Sequence, residues 1–255
     1  INGWYSDQTR GIIANILDEV PELARLYLVN AVYFKGLWLN PFDSAETRNQ
    51  PFTLCDGSTV EAPMMHATMS CSVIENADFT AIKLPFGRRG EGCDEDYPPS
   101  LLVFLPAPGR TLEDWLGALT PLAWREWMQS WTAPRNVTVE LPRFKFSFDT
   151  ELTDAWMEMG VDAAFNIWGW ENVEFERMTD LRLYIKRVPH RCTLEIDELG
   201  VEASAATIVE GDGEGGGSGD NKTVGLRADR PFAVALVDEA TGAILMFGAI
   251  HNPQF

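Results

Sequence analysis

The chain has 255 residues, 45% of them hydrophobic and 23% charged, the balance of a globular protein with material for a substantial core. Asp and Glu number 38 against 20 Lys and Arg, and a net charge of −18 repels a phosphate backbone, which excludes nucleic acid as the natural partner. No apolar run reaches the roughly 18 residues that a membrane-spanning helix needs, and Cys55, Cys71, Cys93 and Cys192 contain no CxxC pair to frame a zinc site or a disulfide scaffold. The expectation is free or half-buried thiols, no metal, no cofactor and no membrane.

Ile12, Ile13 and Ile16 recur at helical spacing, so residues 4–19 read as the end of a helix closed by Pro21. Residues 26–34 are too apolar for a surface strand and read as a central strand covered on both faces, with Asn30 a buried polar exception. Short alternating strands follow at 59–64, 72–75, 80–84 and 101–105, bounded by turn residues. Residues 87–99 are acidic and polar, a loop. Thr111 caps a helix whose stripe is Leu112, Trp115, Leu116 and Leu119, with Glu113 and Asp114 at its positive end. A second helix runs over 121–131, a strand over 137–141, and a third helix over 149–159, stopped by Gly160. Residues 183–197 form a strand pattern interrupted by Pro189, and two hydrophobic strands, 231–237 and 243–250, close the chain around the turn 238–242. The class is α+β, with strands in more than one sheet.

The inventory for catalysis is poor. His66, His190 and His251 are the only histidines, and no G-x-S-x-G, HExxH, EF-hand or Walker A motif occurs, so no enzyme is expected. His190, inside a strand pattern, reads as a satisfied core histidine. Gly211, Gly213 and Gly216 fit G-x-G-x-x-G, but Gly217-Ser218-Gly219-Asp220 follows where a dinucleotide site needs a helix.

Residues 198–225 break the pattern. Gly200-Val201-Glu202-Ala203-Ser204-Ala205-Ala206-Thr207 starts with a flexible glycine and continues with small side chains. Extended, it points Val201, Ala203, Ala205 and Thr207 to one side and Glu202, Ser204 and Ala206 to the other. Small side chains at alternate positions let a strand enter between two neighbours without overpacking the layer beneath. Gly211 to Asp220 has linker composition, yet only two strands follow, so the segment is a long loop inside one domain.

Glu198 to Thr207 resembles the hinge of the reactive-centre loop of inhibitory serpins. Asn30-Ala31-Val32-Tyr33-Phe34-Lys35-Gly36-Leu37-Trp38, Pro63-Met64-Met65-His66, Leu141-Pro142-Arg143-Phe144, Ala228-Asp229-Arg230-Pro231-Phe232 and Gly242 to Gly248 are further serpin-like blocks in the family's order. The resemblance covers the chain and implies a single serpin-like domain over 1–255 that lacks the family's N-terminal helical portion. It implies a suicide-substrate inhibitor: a serine or cysteine protease attacks the loop, and the cut loop inserts into the main sheet as a strand. It also implies an extracellular monomer, with Asn30, Trp38 and His190 at the region where the sheet opens. The alternative is a non-inhibitory binding, chaperone or storage protein of the same family. Counted forward from Glu198, the scissile bond falls at Glu214-Gly215. Counted back from Pro231, it falls at Asp220-Asn221, with Lys222 close by. Both rulers place an acidic residue before the bond, which points to a protease cleaving after Glu or Asp, with a trypsin-like enzyme cutting after Lys222 as the rival.

Overall fold

The computed structural model describes residues 1–9, 11, 17, 28–34, 36–87, 98–165, 175, 178, 183–200 and 224–253. Along the chain these form α1 (Asn2–Gln8), β1 (Asn30–Tyr33), β2 (Arg48–Thr53), β3 (Thr59–Glu75), β4 (Phe79–Pro85), β5 (Ser100–Pro106), α2 (Leu112–Gly117) and α3 (Pro121–Met128). There follow β6 (Arg135–Pro142), β7 (Phe144–Glu151), α4 (Thr153–Glu158), β8 (Pro189–Ile196), β9 (Val224–Arg227), β10 (Phe232–Val237) and β11 (Ile244–Ile250). The chain divides into two units, residues 1–34 with 146–194 and residues 35–145 with 195–255.

In the first unit, α1 covers the start of the helix expected over 4–19 and ends at Gln8; Ile12, Ile13 and Ile16, which carry that expectation, lie outside the described residues. Thr9 turns its hydroxyl back to the Tyr5 carbonyl at 2.7 Å, and Gly11 adopts φ +85°, which takes the backbone out of helical space. Tyr5, Val29 and Ala31 pack around buried Leu17, and the Tyr5 hydroxyl donates to the Val29 carbonyl at 3.0 Å. This fixes the sides of β1. Val29 and Ala31 face the packed side, while Leu28 and Asn30, one position off, face the open side. Leu28 is 39% exposed and Asn30 is exposed too, so the expectation of a strand covered on both faces with a buried Asn30 is corrected: this strand is covered on one face.

The sheet order here is β1-β8-β7, and β1 pairs with β8 in parallel. Pro189 does not interrupt the strand expected over 183–197. It is the first residue of β8, where a missing N–H breaks no ladder bond, and 183–188 are irregular. The helix expected from 149 starts only at Thr153, because residues 149–151 finish β7. Asp149 is held there by Arg191, and Glu151 by Arg187 and the Val188 amide, charge pairs that tie β7 to the chain around β8. Gly160, at φ +90°, follows α4 as expected.

The second unit is built on a sheet of order β11-β10-β5-β4-β3-β6-β9, with β2 also pairing with β3. Residues 59–75, expected as two strands, are one 17-residue strand that serves β2 and β6 in its first part and β4 in its last. Strands β5 and β10 are buried at every position, which is why they read as unbroken apolar runs. Over one face lie α2 and α3. Trp115, 1% exposed, packs with Phe79, Phe104 and Leu102, and the indoles of Trp115 and Trp127 stack at 5.3 Å. The α2 start is a capping box: Thr111 accepts from the Asp114 amide and Asp114 accepts from the Thr111 amide. Among the described residues Cys55 is exposed, Cys71 buried and Cys192 half-buried, all free thiols. Burial pushes the Cys71 thiol up to about 11 and raises that of Cys192.

Candidate functional site

The site is the root of the long loop, immediately after β8. Asp197 makes the turn: its carboxylate accepts from the Leu199 amide at 2.9 Å and the Gly200 amide at 3.0 Å. Its carbonyl accepts from the Trp38 indole N–H at 2.8 Å, and the Trp38 amide donates to the Leu199 carbonyl at 2.9 Å. Burial raises the Asp197 carboxyl above its usual range, the two amide bonds work the other way, and the Glu198 charge adds to the rise. The Trp38 ring, 4% exposed, is stacked on Phe86 with centroids 4.4 Å apart, so the indole that holds the turn is itself held.

Gly200 completes the turn by bridging to Leu37. Its φ is +120°, and a Cβ there would stand 2.3 Å from the Gly36 carbonyl oxygen and 2.9 Å from the Trp38 nitrogen. Glycine is required by both backbone angle and space.

Glu198, the acid expected at the hinge, is 5% exposed. A buried carboxylate needs partners. Arg143 supplies two N–H groups, Nη2 at 2.5 Å and Nε at 2.7 Å from Oε1, and the Thr47 hydroxyl donates to the same oxygen. The Glu198 carbonyl accepts from the Phe42 amide at 2.9 Å. Burial alone would raise the Glu198 carboxyl; the bonds from Arg143 and Thr47, with the Arg143 charge, hold it below its ordinary value. Neither Thr47 nor the role of Arg143 is legible in the sequence. A buried acid announces that some cation serves it, but spacing does not single out one 55 residues away.

Asn30 and His190, expected near the sheet opening, are register partners of the β1–β8 pair. His190 is not the satisfied core histidine expected: it is half-buried, and its buried Nδ1 has no hydrogen-bond partner among the described residues. Trp38, expected in the same region, instead holds the turn after β8 through Asp197 and Leu199. Val201, Glu202, Ala203, Ser204, Ala205, Ala206 and Thr207, and the scissile-bond candidates Glu214, Gly215, Asp220, Asn221 and Lys222, lie outside the described residues. Val224 and Gly225, the last residues of the loop expected over 198–225, are instead in β9, paired in parallel with Val137 and Thr138.

A buried acid-arginine turn at the end of β8, a strand paired in parallel with β1, is the described feature of this α+β fold that leads into residues 201–223. A family model described as Serpin (serine protease inhibitor) matches residues 1–253, and the chain belongs to the serpin family. It is 35% identical over 268 residues to a putative serpin-Z12 of Oryza sativa subsp. japonica, covering 99% of this chain and 61% of that protein. It is 32% identical over 254 residues to an uncharacterized serpin-like protein of Thermococcus kodakarensis, covering 100% of this chain and 56% of that protein. Its fold matches human thyroxine-binding globulin complexed with thyroxine at a TM-score of 0.81 and 24% identity, covering 100% of this chain and 63% of that one. The chain thus spans less than two thirds of the length of these relatives.

Proposed function

We propose that the protein is a suicide-substrate inhibitor of a serine or cysteine protease, with the loop after Gly200 as bait. The observation that carries the proposal is the direct parallel pairing of β1 with β8, Asn30 to Tyr33 against His190 to Thr193. A loop that follows β8 and folds back on it runs antiparallel to β8, and so antiparallel to β1 as well. Its entry between them replaces one parallel ladder with two antiparallel ones, the more stable pairing per residue. At about 1 kcal/mol net per main-chain hydrogen bond, a dozen new bonds would drive a large rearrangement. Ala203, Ala205 and Ala206 suit insertion because small side chains enter a packed layer without strain.

The test is incubation with a panel of proteases followed by a denaturing gel. A covalent complex resistant to SDS is expected, first with enzymes that cleave after Glu or Asp at Glu214-Gly215 or Asp220-Asn221. Replacing Ala203 with Arg should turn inhibitor into substrate, because a charged chain facing the core has no partner. Clean cleavage of the unmodified protein by every protease tested, with no complex, would overturn the reading. It would favour the second one, a non-inhibitory binding protein, which the glycine content of 211–219 supports: glycine makes a poor strand.

A further inference from the structure

Three side chains from distant parts of the sequence meet on the surface of the second unit. Cys55 lies in the turn between β2 and β3, Glu113 in the first turn of α2, and His251 just beyond β11. The Cys55 sulfur lies 3.2 Å from His251 Nδ1, Glu113 Oε1 lies 3.5 Å from the same nitrogen, and all three ligand atoms fall within 4.8 Å of one another. All three residues are exposed.

The geometry decides what this cluster does. A nucleophilic Cys–His–acid triad needs thiol and carboxylate on opposite ring nitrogens, one giving its proton and the other holding the tautomer. Here both converge on Nδ1, which offers one proton or one lone pair and cannot serve both well. A cation between them satisfies all three. With zinc bonds of about 2.3 Å to sulfur and about 2.0 to 2.1 Å to nitrogen and oxygen, tetrahedral coordination puts S and N about 3.5 Å apart and N and O about 3.3 Å apart. The observed 3.2 and 3.5 Å are within a few tenths of an ångström of those spacings.

We propose that Cys55, His251 and Glu113 bind a divalent zinc-class cation, with the fourth position open to water. Thiolate and imidazole select zinc or its congeners over magnesium and calcium. Two of the ligands rest on hydrogen-bonded backbone. The Cys55 turn is closed by hydrogen bonds between Leu54 and Ser58 and between Gly57 and Leu54, and Glu113 is inside the α2 capping box. The absence of a CxxC pair argued against a site in the sequence; the fold assembles one from residues up to 196 positions apart. Because such ligands are separated in the unfolded chain, the cation favours the folded state, by about 100-fold in the folded-to-unfolded ratio when free metal is 100 times its dissociation constant.

The test is titration of the metal-free full chain with Co²⁺, read by the thiolate-to-cobalt charge-transfer absorption and displaced by Zn²⁺. One equivalent is expected to bind. The band should vanish in Cys55→Ser and in His251→Ala, weaken about tenfold in affinity in Glu113→Gln, and persist in Cys71→Ala. Zinc should also protect Cys55 from alkylation, followed peptide by peptide, and raise the melting temperature of the wild type but not of Cys55→Ser. No cobalt band in the wild type, or a band that survives either Cys55→Ser or His251→Ala, overturns the site.

Discussion

Replacing Glu198 with Ala leaves the Arg143 guanidinium and the Thr47 hydroxyl without their shared acceptor. Charge-assisted hydrogen bonds contribute about 1.5 to 3 kcal/mol each, but the Arg143 side chain is 30% exposed and water recovers part of the loss. The expected cost is about 2 to 3 kcal/mol, or roughly 4 to 12 °C in melting temperature for a chain of this length. A double-mutant cycle with Arg143→Met isolates the pair and should give a coupling of about 1 to 2 kcal/mol. The effect has a pH signature. The Glu198 carboxyl titrates below its unfolded value, so its contribution is complete above the ordinary glutamate range and is lost as pH falls through the lowered native value. Wild type should therefore lose stability across that acidic window, and Glu198→Gln should lose less. Thermal melts followed by circular dichroism read all three quantities. A melting temperature for Glu198→Ala within about 1 °C of wild type, or a coupling near zero, would refute the reasoning.

Gly200→Ala should destabilise the hinge turn by more than 1 kcal/mol, of the order expected where both φ and space exclude a Cβ; wild-type amide exchange at Leu199 and Trp38 in that variant would count against it. Trp115→Ala removes an indole that is 1% exposed and should cost about 3 to 5 kcal/mol by denaturant titration. Thr111→Ala breaks the α2 capping box and should cost about 1 kcal/mol, with Thr111→Ser recovering most of it. At mildly alkaline pH in the folded, metal-free protein, iodoacetamide should modify the three described thiols in the order Cys55, Cys192, Cys71; early labelling of Cys71 would contradict its packing.

The strands that read clearly from sequence are those whose two faces are both buried. Residues 101–105 and 232–237 are apolar throughout, and they are interior strands of the sheet, β5 and β10. The failures have equally local causes. Strand β2, Arg48-Asn49-Gln50-Pro51-Phe52-Thr53, buries Phe52 alone, too little for a pattern, and β9 is only four residues long. The middle of β3 mixes His66, Thr68 and Ser70 with Met65, Met69 and Cys71, so its alternation looked like an interruption. Residues 149–151 are polar enough for a helix start, and only their ion pairs with Arg191 and Arg187 show why they stay in β7. Glu198 and Gly200, which the family resemblance singled out, sit in the turn after β8. Thr47, Arg143 and Leu37 were not legible as their partners, because long-range pairing leaves no trace in local spacing.

The arrangement of the last three strands decides what a nick in the loop would do to the molecule. Residues 224–253 hold β9, β10 and β11, and β10 lies between β5 and β11 with all six of its side chains buried. A cut anywhere between Gly200 and Val224 separates this segment from the rest in covalent terms only. To leave, it would have to unzip Ala233 to Val237 from Ser100 to Phe104 and Val224 to Arg227 from Val137 to Glu140, and expose Phe232, Val234 and Leu236 to water. Cleavage thus yields one particle made of two peptides, which gel filtration sees as intact and a denaturing gel sees as split. The short peptide is a structural member of the sheet, so the freedom gained at the cut belongs to the loop that precedes the bond.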